Sequence, residues 1–357
     1  MQILGLAILA IGLLSLSLAL VRGVAPKVAC ESGPTRAATA WIDLWIPLML
    51  ALPMGAAAFF VHPEQADPFA VWAAAGPSVA VGAIVLGVAL AWRGDSEASA
   101  GSPWRGLSRR HGLMFVGLGG VLLFAAESNR LDPRQGQLLL TVAVVWLWAC
   151  SVGRPPERNG GPGVGRLILD WAEPLRQPIG GLTKSVAGVA VVLTVAGCWL
   201  VGASVDFLWV VGAVAVTQLV VLLAMVESSG RLCAQRTVGS TLILSLLLGL
   251  GAVAMARHPW LLAARIPPYE LMGTSVLGLS SLRGAAILLL GMGMLGLLRF
   301  DRPSFWSGVC TGALLIVGAL VVLLTGWNQA LQHIADAVNA TLYQLIMFYH
   351  SQTGTGP

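Results

Sequence analysis

The sequence predicts an all-α polytopic membrane protein with about ten transmembrane helices in two inverted five-helix repeats. Three observations lead to this fold class: the composition, a series of long apolar segments, and a group of residues that recurs at a fixed distance. Hydrophobic residues make up 57% of the 357 residues, charged residues only 10%, and the mean hydropathy is +0.81. A soluble domain carries about 25% charged residues, so an integral membrane protein is the class that fits.

Ten segments are apolar enough to cross a bilayer. The first has no basic region before it, so we interpret it as a retained span rather than a cleaved signal peptide. The fourth and ninth are shorter than the ~20 residues that a lone spanning helix needs, so we expect neighbouring helices to bury them or flanking residues to extend them. The approximate limits are 2–21, 39–61, 68–92, 112–127, 136–152, 185–204, 206–226, 237–256, 284–299 and 305–324.

The basic residues predict the orientation of these spans. Sixteen of the 21 Lys and Arg residues lie in the loops after spans one, three, five, seven and nine. Basic loops stay on the cytoplasmic side, so both termini are expected outside, with a bacterial inner (plasma) membrane as the expected location. Because the basic residues lie almost entirely in such loops, the net charge of +5 indicates topology and no nucleic-acid partner.

Six residues recur 172 positions later, within pairs of apolar segments around a short charged turn. Five spans separate the two copies, an odd number, so the copies are expected to cross the membrane in opposite directions. Inverted repeats are typical of secondary transporters, whose substrate site lies near mid-membrane where the repeats meet. The residues are Gly112, Leu118, Gly119, Leu123, Arg130 and Gly136, which return as Gly284, Leu290, Gly291, Leu295, Arg302 and Gly308.

The chain therefore divides into four predicted parts. Residues 1–152 form the first five-helix repeat, and 185–324 form the second. Residues 153–184, rich in Gly, Pro and charge, are expected to be a cytoplasmic linker with a short surface helix at 167–175. Residues 325–357 form a C-terminal tail in which apolar residues recur with helical periodicity between 327 and 349. That amphipathic helix is expected to lie on the membrane, bind a protein partner, or fold back on its own domain.

Spans two, three, seven and eight resemble the alpha repeats of the cation/calcium antiporter superfamily, which includes the sodium/calcium exchangers. Residues 73–79 and 236–241, each followed by a run rich in Leu and Gly, are similar to the family pattern GN-x-x-GSN. Leu52 and Pro53 match the family's GTSLPE, and Thr217 and Gln218 are similar to the corresponding motif of the second half. The resemblance implies an exchanger-like fold over most of residues 2–324.

The departures from the family pattern bear on function. In the family, two Glu and two Asn form the ion site, because a hard cation needs several oxygen ligands and carboxylates that offset its desolvation. The corresponding positions here are Met54, Ala73, Gln218 and Arg236, which include no carboxylate and one cation. The resemblance therefore implies a degenerate ion site that is unsuited to ordinary calcium exchange.

Arg236 and Asp43 are the charged candidates for a substrate site. Arg236 is a tethered cation that replaces the transported one, or it is an anchor for an anionic substrate. In the structural alternative, it ends a cytoplasmic loop, pairs with Glu227 and only sets the topology. Asp43 lies inside span two, where an ionisable residue is a functional candidate. It lies near the cytoplasmic end of the span, so a solvated carboxylate or a partner for Arg36 is an equal alternative.

Four polar residues complete the predicted substrate-binding set: Gln218 and Thr217 in span seven, and Ser240 and Thr241 in span eight. They either coordinate a solute or form hydrogen bonds with a neighbouring helix, as polar side chains in membranes commonly do. The five His and five Cys are dispersed without metal-ligand spacing, and no catalytic motif is present. We therefore expect no cofactor, no metal centre and no enzymatic activity.

Two functional hypotheses remain. The first is a secondary transporter, antiporter-like, with altered or lost cation selectivity, which moves an inorganic ion or small solute by alternating access. The second is a non-transporting membrane scaffold or accessory subunit that keeps the exchanger fold without its ion site. The loss of all four ligand positions favours the second hypothesis, but we prefer the first, because transport is what this scaffold does in the family that the sequence resembles. The lipid bilayer is the expected environment in both cases.

Overall fold

The structure is a computed structural model that describes residues 2–24, 41–61, 70–91, 107–128, 130–152, 181–202, 207–229, 231–256, 269–270, 276–298 and 308–325. Ten helices follow one another through these ranges, and we number them in chain order. They are α1 (Gln2–Ala19), α2 (Ile46–Phe60), α3 (Ala70–Ala91), α4 (Arg109–Ser128), α5 (Pro133–Val152), α6 (Gly181–Val201), α7 (Phe207–Ser229), α8 (Arg231–Ala256), α9 (Val276–Leu298) and α10 (Gly308–Thr325).

The helix ends carry the departures from regular α-helix. A π turn, Leu20–Val24, continues α1, and another, Trp41–Trp45, precedes α2. Proline occurs inside α2 (Pro53) and α3 (Pro77), which membrane helices tolerate because neighbouring groups satisfy the freed backbone. The two-residue strands β1 (Arg130–Leu131) and β2 (Tyr269–Glu270) pair antiparallel, with Arg130 opposite Glu270.

The predicted all-α membrane fold is confirmed. Eight of the described segments are long and apolar enough to cross a membrane, and each coincides with a predicted span. The two short spans are extended by their flanks, as expected: α4 begins at Arg109 and α9 begins at Val276. In α9 the apolar stretch itself is only Leu282–Leu297, and α5 is a helix of 20 residues that is not among the eight.

Helices five positions apart in the chain run antiparallel where they touch. In the α1–α6 pair, Gly5 contacts Leu200 and Gly12 contacts Thr194. In the α4–α9 pair, Gly112 contacts Leu297 and Glu127 bonds to Arg283. In the α3–α8 pair, Ala74 contacts Gly249 and Gly82 contacts Leu242.

The contacts between helices also repeat: two helices that touch have counterparts, five positions away in the helix order, that touch as well. For example, α2 packs on α8 as α7 packs on α3, and α5 packs on α8 as α10 packs on α3 through Gly312 and Gly87. This contact pattern is consistent with a two-fold relation between the halves, and the inverted repeat itself stays a prediction.

The core is built around α8. In the 18-residue window that represents its spanning part, 94% of the residues are buried. Helix α8 contacts α2, α3, α4, α5 and α7, while α1, α6 and α10 present exposed apolar side chains such as Leu14, Val189 and Leu314. This distribution places the polar residues of α8 in the middle of the bundle. The expected surface helix at 167–175 and the C-terminal helix lie outside the described residues. The four-part division and the orientation of the termini stay predictions.

Candidate functional site

The centre of the bundle is closed where α2, α3 and α8 meet. Met54, the residue that replaces a family glutamate, is fully buried in α2. A Cβ atom built on Gly249 of α8 would lie 3.4 Å from the Met54 side chain and 3.4 Å from the backbone oxygen of Ala74. A Cβ atom at this distance would be in ordinary van der Waals contact, so the side chain of Met54 lies close to α8 at Gly249.

Gln218 of α7 connects the same three-helix region through hydrogen bonds. Its side-chain amide donates to the backbone oxygen of Leu50 at 2.9 Å and to Ser245 Oγ at 3.0 Å. Leu50 lies three residues before Pro53, in the part of α2 where proline disturbs the backbone ladder. Both N–H groups of the buried Gln218 amide thus have protein partners, and the residue joins α2, α7 and α8.

Arg236 bonds to Asp43, so the two charged candidates pair with each other. Arg236 Nη2 donates to Asp43 Oδ2 at 2.6 Å, which joins the start of α8 to the π turn before α2. The side chains are 41% and 18% exposed, respectively. Arg236 therefore bonds to Asp43 and not to Glu227, while Arg36, the expected partner of Asp43, lies outside the described residues. Because both side chains are partly exposed to solvent, this charge-assisted hydrogen bond joins the two helix ends but contributes only modestly to the free energy of folding.

The structure separates this ion pair from the centre. Arg236 and Ser245 are nine residues apart in α8, a rise of about 13 Å along the helix. Met54 and Gln218 meet α8 one turn apart, at Gly249 and Ser245. The four positions that correspond to the family's ion ligands therefore divide in two: Met54 and Gln218 lie together at the centre, and Arg236 lies at the start of α8. Ala73 is buried in α3 beside Ala74.

The three hydroxyl candidates have three different surroundings. Thr217 Oγ1 donates to the oxygen of Ala213 in its own helix at 3.0 Å. Ser240 Oγ lies 3.0 Å from Nε2 of His111 in α4. Thr241 Oγ1 is buried and has no hydrogen-bond partner among the described residues. Thr241 lies four residues before Ser245, so both hydroxyls occupy one face of α8.

His111 is a polar residue of this region whose role sequence reasoning missed. The N–H of Ser108 donates to His111 Nδ1 at 3.3 Å, and the N–H of His111 donates to Ser108 Oγ at 3.4 Å. These reciprocal bonds form a capping box at the start of α4, with His in the place usually held by Glu or Gln. The spacing Ser108-x-x-His111 was the available signal.

Both ring nitrogens of His111 have hydrogen-bond partners. Nδ1 lies 2.6 Å from Ser108 Oγ and 3.3 Å from the Ser108 nitrogen, and Nε2 lies 3.0 Å from Ser240 Oγ. In the tautomer in which Nδ1 accepts from the Ser108 N–H, Nε2–H donates to Ser240 Oγ. The ring packs edge-on to Trp146 of α5 with 5.4 Å between centroids. His111 therefore fixes the beginning of α4 to α8 and α5.

The central region lacks the donor set of a cation site. Among the residues that the structure describes, its polar groups are an amide, hydroxyls and a backbone carbonyl, and the ionised Asp43–Arg236 pair lies about 13 Å away along α8. Over the described ranges, no group of three or more His, Cys, Asp or Glu side chains is close enough to hold a metal ion. The arrangement can hydrogen-bond a neutral polar molecule or join helices, and it supplies no carboxylate to offset a bound cation.

No protein-family model matches the chain, and no curated protein sequence matches it. Among solved structures, one of the sodium-calcium exchanger NCX_Mj is similar, at 16% identity and a TM-score of 0.40, over 91% of this chain and 99% of that chain. The H+/Ca2+ exchanger CAX is similar at 14% identity and a TM-score of 0.36, over 91% of this chain and 97% of that chain. Identities and TM-scores of this size do not identify a substrate or an activity.

The chain is thus an all-helical integral membrane protein in which packed and hydrogen-bonded side chains occupy the centre of the bundle.

Proposed function

We propose that this protein is a non-transporting membrane subunit that keeps an exchanger-like scaffold without a cation-exchange site. The observation that carries the proposal is the closed centre, where Met54 packs on Gly249 and both amide hydrogens of Gln218 bond to protein. In a transport site, the side chains at the centre must break their contacts with one another in each cycle so that they can bind the substrate. Here the groups instead join α2, α7 and α8, which suits a fixed scaffold.

Two contacts at the start of α8 support a fixed arrangement. The Asp43–Arg236 bond joins α8 to α2, and the His111–Ser240 bond joins α8 to α4. Alternating access requires one group of helices to move against the other around the site. Any alternating-access motion that separated α8 from α2 or from α4 would have to break one of these bonds in each cycle, and the His111 bond is buried.

Cysteine accessibility tests the closed centre without knowledge of a substrate. In a variant whose five native cysteines are replaced, Ser245→Cys is reconstituted in liposomes and treated with a water-soluble maleimide from each side. We expect no labelling in Na+, Ca2+ or proton gradients. Arg110→Cys, at an exposed position of α4, is the matched control and should react from one side. Labelling of residue 245 under any gradient would overturn the proposal.

The second candidate is a transporter of altered selectivity, and one observation favours it. Ser78 Oγ and Thr241 Oγ1 are buried hydroxyls without hydrogen-bond partners. Ser78 lies midway between Ala74 and Gly82, whose contacts on α8 are Gly249 and Leu242, so it is level with the Ser245 region. Buried polar groups without partners are costly in a membrane, and a polar solute or water would satisfy them.

Flux measurements separate the two candidates. Proteoliposomes are loaded with labelled sodium or calcium, and gradient-driven flux is compared with that of protein-free liposomes. The scaffold proposal predicts equal rates. Flux above that background, lost in Thr241→Val but kept in Thr217→Val, would instead establish transport through the central region. Thr217 is the matched control because its hydroxyl bonds only within its own helix.

A further inference from the structure

The hydroxyl groups of Ser78 in α3 and Thr241 in α8 differ from other hydroxyls of these helices. Both side chains are 2% exposed, and neither oxygen has a hydrogen-bond partner among the described residues. By contrast, Thr194 and Thr217 donate to the backbone oxygen four residues earlier in their own helices, and such a local bond satisfies a hydroxyl. Ser78 and Thr241 therefore need a partner from elsewhere, because an unpaired polar group inside a membrane protein is costly.

Ser78 lies opposite Ser245 across the interface of α3 and α8. Two contacts between these antiparallel helices define the register: Ala74 with Gly249, and Gly82 with Leu242. Ser78 is midway between the two contacts along α3, one turn from each, on the row of side chains that meets α8. Ser245 is between the same two contacts along α8. The register therefore brings the two hydroxyls to one level of the bundle.

Thr241 completes a group of three hydroxyls. It lies one turn before Ser245 on the same face of α8, and side chains so related have Cβ atoms about 5–6 Å apart. That separation is about twice the length of an O–H···O hydrogen bond, so one oxygen atom between the two side chains can bond to both. Ser245 Oγ accepts a hydrogen bond from Gln218 at 3.0 Å, which leaves its own O–H as a donor.

The surroundings restrict an occupant to a small neutral molecule. A Cβ atom on Gly82 would lie 2.7 Å from the Leu242 side chain, and one on Gly249 would lie 3.4 Å from the oxygen of Ala74. The two helices are thus in contact one turn to either side of Ser78, which limits the length of the occupant. Three hydroxyls supply no carboxylate to offset a cation, and they can both donate to and accept from a molecule that does the same.

We propose that a water molecule is bound between α3 and α8, where it joins the hydroxyls of Ser78, Thr241 and Ser245. The water accepts from the O–H groups of Ser245 and Thr241 and donates to Ser78 Oγ, so it makes about three hydrogen bonds, as buried waters do. It extends the contact between Gln218 and Ser245 to α3. The proposal does not rest on the proposed function, because such a water stays enclosed whether or not the protein moves a solute.

Proton-detected solid-state NMR of the full-length protein in liposomes tests the proposal. Magnetisation is transferred from water to the protein, and the transferred signal is compared among assigned Ser and Thr side chains. We expect the signal at Ser78 and Thr241 to exceed, several-fold, the signal at Thr194, a fully buried residue whose hydroxyl bonds within its own helix. Equal signals at the three residues would overturn the proposal.

Substitutions identify the groups that bind the water. Thr241→Val keeps the shape of the side chain and removes the hydroxyl, so the water signal at Ser78 should fall several-fold. Thr217→Val is the matched control and should leave that signal unchanged, because the Thr217 hydroxyl bonds to its own helix. If Thr241→Val does not fold, Ser78→Ala takes its place, with the loss of signal measured at Thr241.

A water signal that neither variant reduces would overturn the proposal, because the water would then lie elsewhere. A signal at Ser78 and Thr241 that disappears when sodium or calcium is added would also overturn it, because a cation would then occupy the site. Maleimide labelling and ion flux test the proposed function separately from these results.

Discussion

The bond between Gln218 and Ser245 provides the most direct test of the central packing. Gln218→Leu keeps most of the buried volume of the side chain and removes both amide donors, one to Ser245 and one to the oxygen of Leu50. Interhelical hydrogen bonds in a membrane average about 0.6 kcal/mol, with a maximum of about 1.7. Two such bonds predict a loss of roughly 1–2 kcal/mol in the free energy of unfolding.

A double-mutant cycle isolates one of the two bonds. Unfolding of the purified protein in mixed micelles is followed as the fraction of denaturing detergent rises, for Gln218→Leu, Ser245→Ala and the double variant. We expect a coupling energy of about 0.6 kcal/mol between the two positions, because only this contact is lost in both single variants. Thr217→Val, combined with Ser245→Ala, is the control and should show no coupling.

The reasoning fails if the Gln218–Ser245 coupling is zero within error, or if Gln218→Leu raises the stability. Either result would mean that the amide does not join α7 to α8. An equal coupling for Thr217 would mean that the cycle reports a general change in the packing of α7.

Three further predictions use the same unfolding assay. Gly12→Ala should lower the free energy of unfolding by about 1–3 kcal/mol, because its Cβ would lie 2.7 Å from a backbone nitrogen of α6. Gly212→Ala is the control: its Cβ has open space around it, so helix propensity should raise the free energy of unfolding by up to about 1 kcal/mol. Equal effects of the two variants would refute the close approach of α1 and α6. Asp43→Arg should destabilise the protein, and adding Arg236→Asp should restore stability; no recovery would show that the pair does not hold the helix ends together. His111→Phe removes the cap of α4 and should lower the free energy of unfolding by about 0.5–2 kcal/mol. His111→Gln keeps a capping acceptor, so its free energy of unfolding should fall less. Equal losses in the two variants would contradict the capping role.

The sequence allows the helices to be predicted because each apolar run has only one way to satisfy its backbone in lipid. The fold class and the position of each described helix follow from that constraint. The recurrence at 172 residues predicts a relation between the α4–α5 and α9–α10 segments, and this inverted repeat stays a prediction. These features depend on local composition or on a simple count of crossings.

The partners of polar side chains were harder to predict, because they depend on how helices distant in sequence are brought together. Glu227 is nine residues from Arg236, yet the bond goes to Asp43, 193 residues away, where the π turn before α2 approaches α8. Gln218 was identified as a candidate, but Ser245 was not named as its partner. Serine occurs throughout these helices, and only the α7–α8 contact distinguishes this one.

The interlocking of the two halves has a consequence for biosynthesis. Each helix of the first half finds extensive contacts in the second: α1 with α6, α2 and α5 with α8, α3 with α7 and α8, and α4 with α9. When the ribosome has released the first five helices, the partners that bury them do not yet exist. Until α8 inserts among them, the glycine faces of those helices lack their contacts with the second half. The bond between Asp43 and Arg236 also cannot form before then. Assembly is therefore a late event that depends on contacts distant in sequence, and such contacts slow folding.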